Sequence, residues 1–114
     1  MLKGGMRRYM ERQSLTNCET LVMKTVWDAE RDLDLTDITQ RVNEAYNKKW
    51  RPQTVSTFLA RLVKKGYLRH YRQGRAFYYQ ILVSQKEYLG EMAEQFLEFW
   101  KRENVDVFLE ALER

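Results

Sequence analysis

The sequence predicts an α+β fold that is mostly helical, with three helices, then a two-stranded hairpin, then a C-terminal helical region. Three observations support this order. Apolar residues recur every three or four positions in three segments before residue 66, aromatic and branched residues dominate residues 67–83, and a helical period returns after residue 84. A length of 114 residues fits one small domain with a short additional element.

The composition excludes several classes of protein. Hydrophobic residues make up 44% and charged residues 32% of the chain, with only five Gly and one Pro, so a disordered or collagen-like chain is excluded. No run approaches 18 apolar residues, and no apolar run follows the basic N-terminus. We therefore expect a cytoplasmic protein without a membrane span or a secretory signal. The single cysteine, Cys18, excludes an internal disulfide, and we expect no metal site and no cofactor.

The first helix is expected from Thr16 to about Glu30. Thr16 and Glu19 have the spacing of a capping box, in which each side chain satisfies the backbone N–H of the other residue. The apolar stripe that follows predicts one buried face, with Trp27 at its edge. A polar turn is expected at residues 31–34.

Two further helices are expected before the hairpin. The second begins after an N-cap at Thr36 and ends near Tyr46. The third runs from Pro52 to about Lys65, because proline fits the first turn of a helix and Gly66 supplies the left-handed residue that ends one.

The hairpin is expected to pair residues 67–72 with residues 75–83 around a tight turn at Gln73-Gly74. His70 is expected on the surface, near phosphate. Most of the hairpin's other aromatic residues are expected to form its hydrophobic base; they are Tyr71, Phe77, Tyr78 and Tyr79.

Helical periodicity returns at Ser84, and Asn104 is a candidate N-cap for a short last helix. The predicted organisation is a flexible basic arm at residues 1–14, a domain of three helices and a hairpin at residues 15–83 and a helical region at residues 84–114.

Charge divides along the chain in the same way. Residues 1–83 carry 16 Lys/Arg against 8 Asp/Glu, whereas residues 84–114 carry 4 against 8. No acidic residue occurs between Glu44 and Glu87, while ten basic residues do. A block of one sign attracts a polyanion such as duplex DNA.

Three helices followed by a hairpin are the arrangement of the winged helix-turn-helix, whose third helix enters the major groove. Arg61 can donate two hydrogen bonds to guanine, Gln53 can pair with adenine, and threonine methyls can contact thymine. Arginines around the hairpin turn can contact phosphates or enter a minor groove. The expected DNA-binding residues are Arg51, Gln53, Thr54, Ser56, Thr57, Arg61, Lys64, Arg69, Arg72 and Arg75.

The C-terminal helices carry more apolar residues than a small helical domain can cover, which would be an aggregation hazard in a monomer. Two copies are expected to pack tail against tail and to set two recognition helices about one DNA turn, ~34 Å, apart. The alternative is that the fourth helix folds back onto its own DNA-binding domain. The expected dimer residues are Leu89, Met92, Phe96, Phe99, Trp100, Phe108 and Leu112.

Four stretches carry a family resemblance: ETLVM at 19–23 followed by Val26-Trp27, WRPQTV at 50–55, RLVKKGYL at 61–68, and GRAFYY at 74–79. In this order and spacing the sequence resembles the penicillinase-repressor (BlaI/MecI/CopY) family of bacterial transcription regulators over about residues 15–100. One departure is Arg51, where the family usually has a serine that can cap the helix.

The resemblance implies a homodimeric repressor that binds a palindromic operator. By position, Thr54 and Arg61 match recognition-helix contacts and Arg75 matches a basic wing position. Inducible members of the family have a sensor protease as partner and are cut near an Asn-Phe bond, where this sequence has Val107-Phe108. Copper-responsive members carry a cysteine cluster that this sequence lacks, so copper sensing is not expected.

Two other functions fit the same sequence. One is a winged-helix module that binds protein through its aromatic tail, and the other is a ligand-sensing regulator with a pocket at the dimer joint. An enzyme is not expected, since the sequence has no paired carboxylates in the basic block, no Ser/His/Asp or Cys/His arrangement and no Gly-rich phosphate loop.

Overall fold

The computed structural model describes residues 13–101 and 104–113, which fall into two compact units. We call residues 13–85 the head and the described residues from 86 onward the tail. The predicted basic arm lies outside the described residues except for Gln13 and Ser14.

The head contains three helices and a small antiparallel sheet, which confirms the predicted order of three helices and a hairpin. Strand β1 was not predicted, because its residues were expected to form only a turn. The elements are α1 (Asn17–Ala29), β1 (Leu33–Asp34), α2 (Leu35–Tyr46), α3 (Pro52–Lys64), β2 (Leu68–Gln73) and β3 (Ala76–Ile81).

Helix α1 begins with the predicted capping box. The backbone N–H of Glu19 donates to Thr16 Oγ1 at 3.2 Å, and that of Thr16 donates to Glu19 Oε1 at 3.0 Å. The expectation that Trp27 lies at the edge of the apolar stripe is wrong: the side chain is buried, and its Nε1 donates to Val83 O at 2.9 Å. This bond holds the segment after β3 against α1.

The N-cap of α2 is Asp34 and not Thr36. The Asp34 carboxylate accepts from the backbone N–H of Asp37 at 2.9 Å. Asp34 also ends β1, where it pairs with Tyr78 of β3 and so has the extended backbone that an N-cap requires. Local spacing alone favoured Thr36, because β3, the strand that pairs with Asp34, lies far along the chain.

Helix α3 ends at Gly66 as predicted. Gly66 has a φ of +85°, its N–H donates to Val63 O at 3.0 Å, and the N–H of Tyr67 donates to Leu62 O at 3.0 Å. These two bonds form a Schellman motif, which turns the chain sharply from α3 into β2.

The sheet has the strand order β1-β3-β2, and the hairpin turn lies one residue later than predicted. Gln73 pairs with Ala76, so the two-residue loop is Gly74-Arg75 and not Gln73-Gly74. Gly74 has a φ of +66°, and Arg75 is not among the residues with positive φ, which is the requirement of a type II′ turn. Arg75 therefore lies at the tip of the hairpin instead of at the start of β3.

The core of the head lies between the three helices and the base of the sheet. Helices α1, α2 and α3 pack on one another in every pairing, and α3 also packs on β2. The fully buried apolar residues include Val22, Met23, Val26, Leu33, Ile38, Val42, Val55, Leu59 and Leu62.

Two helices, α4 (Gln85–Trp100) and α5 (Val105–Leu112), carry the tail. The ring of Phe96 lies 4.7 Å from that of Phe108 between centroids, so the two helices meet through aromatic side chains. Asn104 occupies the N-cap position of α5 as expected, but its side chain makes no cap hydrogen bond, and its Nδ2 donates back to Trp100 O instead. In the part of the chain that the structure describes, no helix has the length and apolar character needed to cross a membrane.

Candidate nucleic-acid interface

One side of α3 is free to meet a ligand. Val55, Leu59 and Leu62 are fully buried and attach the helix to the head. Ser56 is half-buried beside the hairpin, whereas the other polar positions predicted to bind DNA are exposed. Besides Pro52, the exposed positions of α3 are Gln53, Thr54, Thr57, Ala60, Arg61 and Lys64.

Two of these side chains are already oriented. Thr57 Oγ1 donates to Gln53 O at 3.1 Å, so its hydroxyl proton is used within the helix. The guanidinium of Arg61 lies 6.0 Å from the ring centroid of Phe58, one turn earlier on the helix. The Arg61 side chain is exposed, so its donors can reach an outside acceptor.

A hydrogen-bonded clamp fixes the turn between α2 and α3. Asn43 Nδ2 donates to Trp50 O at 2.9 Å, and the backbone N–H of Trp50 donates to Asn43 Oδ1 at 3.0 Å. The Trp50 ring packs on Phe58 with a centroid distance of 5.1 Å. Asn43 was not predicted as a positioning residue; the available signal was an asparagine inside a predicted helix, where this residue is intrinsically unfavourable.

The first turn of α3 has no side-chain cap. Arg51 occupies the N-cap position and makes no cap hydrogen bond, as expected from its chemistry, and Pro52 follows at the first helical position. Backbone N–H groups at this exposed end are therefore open to an acceptor such as a phosphate, and the Arg51 side chain adds a positive charge beside them.

The hairpin, which we call the wing (residues 68–81), has two distinct faces. In an antiparallel pair, residues directly opposite each other project to the same face. The register pairs His70 with Tyr79 and Arg72 with Phe77, which places these four residues on one face. His70, Phe77 and Tyr79 share a groove with residues of α3, so we call this the helix-facing side of the wing.

Arg69 lies on the opposite, outer side of the wing. It pairs across the strands with Gln80, to whose Oε1 it donates from Nε at 2.9 Å, and its guanidinium lies 5.9 Å from the Tyr71 ring centroid. Tyr71 OH donates to Asp32 Oδ2 at 2.6 Å, and this bond raises the pKa of the hydroxyl. The structure therefore does not bring Arg69 together with Arg72.

The prediction that most wing aromatics form a hydrophobic base is wrong. Only Tyr79 is buried, while Phe77 is 48% exposed. Tyr71 and Tyr78 are half-buried and stack on each other at 5.9 Å on the outer side. The base of the sheet is filled instead by Leu68 and Leu33 from the neighbouring strands.

Two adjoining grooves separate α3 from the wing. One, of about 310 Å³, is lined by Ser56, Ala60, Val63, His70, Phe77 and Tyr79. The other, of about 330 Å³, shares Ser56, Phe77 and Tyr79 with the first and adds the loop residue Arg75. The structure thus brings Ser56 of α3 and Arg75 of the wing to one groove.

Within the described residues, ion pairs do not neutralise the charges of this surface. Among residues 13–101 and 104–113, no ion pair joins an acidic group to the predicted DNA-binding cations. These cations are Arg51, Arg61, Lys64, Arg69, Arg72 and Arg75, and all six side chains are exposed.

Lys65 belongs to the basic block in the sequence but not to the exposed surface. Its Nζ lies 2.5 Å from Glu19 Oε1 and 2.8 Å from Ser14 O. Burial acts to raise the pKa of the Glu19 carboxyl, but the hydrogen bonds from Lys65 and from the Thr16 backbone, with the charges of Lys65 and Arg61, hold that pKa below its ordinary value. The pair joins α1 to the end of α3.

The predicted dimer residues form an open apolar surface in the tail. Phe99 is 71% and Leu112 is 68% exposed, and all the others except half-buried Phe96 are exposed as well. Two grooves cut this surface, one of about 670 Å³ along α4 around Met92 and Phe99, and one of about 360 Å³ between Trp100 and Phe108.

Ligands for a metal do not come together in the described residues: no group of three or more His, Cys, Asp or Glu side chains is placed to hold an ion. Cys18 is a half-buried free thiol.

Comparisons with known proteins agree with this geometry. The profile of the penicillinase repressor family matches residues 15–114. Over 83 residues the chain is 29% identical to the penicillinase repressor of Bacillus licheniformis, covering 73% of this chain and 62% of that protein. Over 86 residues it is 31% identical to an uncharacterized 16.5 kDa protein in the ptsI 3′ region of Latilactobacillus sakei, covering 74% and 56%. The chain therefore spans less than two thirds of the length of these curated relatives.

Solved structures match the head and its hairpin. The solution structure of the DNA binding domain of the repressor BlaI superposes with a TM-score of 0.56 at 29% identity, covering 66% of this chain and 88% of that one. The Bacillus licheniformis BlaI monomeric form in complex with the blaP half-operator gives 0.54 at 29% identity, covering 67% and 89%. A transcriptional regulator from Clostridium thermocellum shares the fold, with a TM-score of 0.51 at 18% identity, covering 79% and 87%.

Proposed function

The chain belongs to the penicillinase repressor family, and from this premise we propose that it is a repressor that binds a DNA operator as a homodimer. The curated relative carries the name penicillinase repressor, and a similar structure is of BlaI in complex with a half-operator. The observation that carries the proposal is the exposed surface of α3 and the wing, two elements that contain cations and no acidic residue of their own.

Helix α3 is proposed to enter the major groove. Its exposed face presents hydrogen-bond donors and methyl groups at three- and four-residue steps, which suits reading of base edges. Arg61 is proposed to contact guanine and Gln53 adenine, while Thr54 and Thr57 offer methyl groups to thymine. Lys64 lies one turn after Arg61 and is proposed to contact the adjacent phosphate.

The wing and the first turn of α3 are proposed to contact the DNA backbone on either side of the major groove. Arg72 and Arg75 lie at the wing tip, and Arg51 lies at the uncapped end of α3. Contacts of this kind fix the register and orientation of a protein on the duplex without reading its sequence.

The tail is proposed to form the homodimer. Isologous packing of two tails would cover the exposed apolar residues of both, and a two-fold protein matches an inverted repeat in the DNA. The tail surface also fits a different protein partner, and the oligomeric state in solution distinguishes the two. A sensor protease would act at Val107-Phe108, which lies inside α5, so its cleavage site would first have to unfold.

The proposed mode of action is occupancy of the operator, which needs no chemical step. The family is one of transcriptional repressors and not of enzymes, in agreement with the expectation from the sequence. Because the proposed ligand is bacterial DNA, we place the protein in the cytoplasm.

The experiment that tests the assignment of α3 is Arg61→Ala on a duplex selected by the unmodified chain. Loss of the proposed guanine contact should cost about 1–3 kcal/mol on that duplex and relax the preference at one base pair. The matched control is Lys24→Ala, which removes the same charge from the exposed face of α1. Equal losses on the selected duplex and on random DNA would contradict a base contact by Arg61.

A further inference from the structure

Phe77 is an apolar residue in the middle of the proposed DNA surface. It lies on the helix-facing side of the wing, directly across from Arg72, and is 48% exposed. His70 meets its ring edge-on at a centroid distance of 5.6 Å, which fixes the ring against the wing. The sequence analysis assigned Phe77 to the hydrophobic base, and the structure leaves it without that role.

The ring of Phe77 also supports a cation. The guanidinium of Arg72 lies 5.8 Å from the ring centroid, and Arg72 Nε donates to Gly74 O at 3.2 Å. These two contacts hold a long and otherwise free side chain in one orientation at the wing tip. Among the contacts within residues 13–101, removing the ring would leave Arg72 with the bond to Gly74.

The residues that line the grooves beside Phe77 are chemically complementary to a DNA strand. Their floor is formed by apolar groups of Ala60, Val63 and Phe77, and the loop residue Arg75 lines one end. The carboxylate of Asp34 also lines this region, but it accepts the backbone N–H of Asp37 and is oriented by that bond. A nucleic-acid backbone alternates charged phosphates with apolar sugar edges, which matches cations placed around an apolar floor.

We propose that the groove between α3 and the wing holds one sugar-phosphate strand, with Phe77 in contact with a deoxyribose and positioning Arg72 for the adjoining phosphate. The groove is continuous with the exposed face of α3, so a duplex seated on that face would bring a strand to it. This inference rests on the proposed function and adds Phe77 to the binding surface.

The test measures the affinity for the selected duplex, as a function of salt, for Phe77→Ala, Phe77→Leu, Arg72→Ala and the double variant Phe77→Ala/Arg72→Ala. Phe77→Ala should weaken binding about fivefold and lower the salt slope toward that of Arg72→Ala, because a mobile Arg72 neutralises its phosphate less well. The double variant should bind no more than twofold worse than Arg72→Ala, since the two residues act together.

Two variants distinguish a role of Phe77 in positioning Arg72 from a purely structural role. Phe77→Tyr keeps the ring and should retain the affinity and salt slope of the unmodified chain, whereas Phe77→Leu keeps an apolar side chain and should lower the slope toward that of Arg72→Ala. The matched control is Tyr78→Ala, which removes an aromatic ring from the outer side of the wing and should leave both quantities unchanged.

Each result has one reading. Unchanged affinity and slope in Phe77→Ala, with weakened binding in Arg72→Ala, would overturn the inference and leave the proposed function standing. Independent, multiplicative losses in the double variant would overturn the positioning of Arg72. Absence of salt-dependent binding by the unmodified chain would instead overturn the proposed function.

Discussion

The head and the tail use apolar residues in opposite ways. In the head, Val22, Ile38 and Leu59 are fully buried, whereas in the tail Phe99 is 71% and Leu112 is 68% exposed. Three helices and a sheet close around one core in the head, while two helices in the tail leave an apolar side open. The head therefore completes its own core, and the tail presents a surface that needs a cover.

Charge follows the same division. Residues 1–83 carry a net charge of +8 and residues 84–114 carry −4. The first value favours contact with a polyanion, and the second opposes it. The exposed apolar surface of the tail fits the proposed second copy of the chain, and the basic head fits the proposed DNA ligand.

The largest expected effect comes from the tail. The variant Phe99→Asp/Leu112→Asp should be monomeric, because both charges fall on the exposed apolar surface. Its affinity for a palindromic duplex should fall about 10²–10⁴-fold, since the two half-site contacts are no longer linked. Sedimentation equilibrium gives the oligomeric state, and titrations compare the palindrome with a single half-site.

The control for this variant is Leu82→Asp, which places the same charge on an exposed leucine of the head. It should leave the oligomeric state unchanged. If the double tail variant remained a dimer, the dimer would have to use a surface other than the tail.

A smaller effect tests the core of the head. Glu19→Gln should lower its free energy of unfolding by about 3 kcal/mol at neutral pH, because the buried Glu19–Lys65 pair would lose one charge. Asp28→Asn breaks the exposed Lys24–Asp28 pair and should cost less than about 0.5 kcal/mol. Urea unfolding of both variants provides the measurement.

The pH dependence of this effect follows from the lowered pKa of Glu19. A carboxyl whose folded pKa lies below its ordinary value of 4.5 stabilises the fold above pH 4.5, and that contribution is lost as the pH falls through the folded pKa. The stabilities of the unmodified chain and Glu19→Gln should therefore converge in acid. A difference in unfolding free energy between the two proteins that stayed constant on acidification would contradict the role given to the ion pair.

The smallest expected effect compares the two faces of the wing. Arg72→Ala should reduce the salt slope of DNA binding by about 1, the value for one phosphate contact. Arg69→Ala should change it less, because Arg69 lies on the outer side and is held by Gln80. Equal reductions would mean that the duplex contacts both faces of the wing.

The sequence predicted those features of the fold that depend on local signals. The capping box at Thr16, the end of α3 at Gly66 and the exposed stripe of α3 each follow from residues within a few positions of one another. Asp34 and not Thr36 is the N-cap because β1 pairs with β3, and this pairing joins residues that are distant in the chain.

The site was predicted in outline, and its details depended on register. The turn lies one residue later than predicted, which places Arg75 at the wing tip. The strand pairing places Arg69 and Arg72 on opposite faces of the wing. Lys65 does not belong to the exposed basic surface, because it pairs with buried Glu19. This pair joins α1 to the end of α3, and no local sequence pattern connects these two segments. Such long-range contacts carry no local sequence signature.

Selection of bound duplexes from a random pool by the full chain tests the central claim, reading of DNA by α3 with the wing beside it, most directly. The account predicts enrichment of an inverted repeat whose half-sites lie about one DNA turn, ~34 Å, apart. A pool that stayed random after selection, with binding that did not depend on salt, would contradict it.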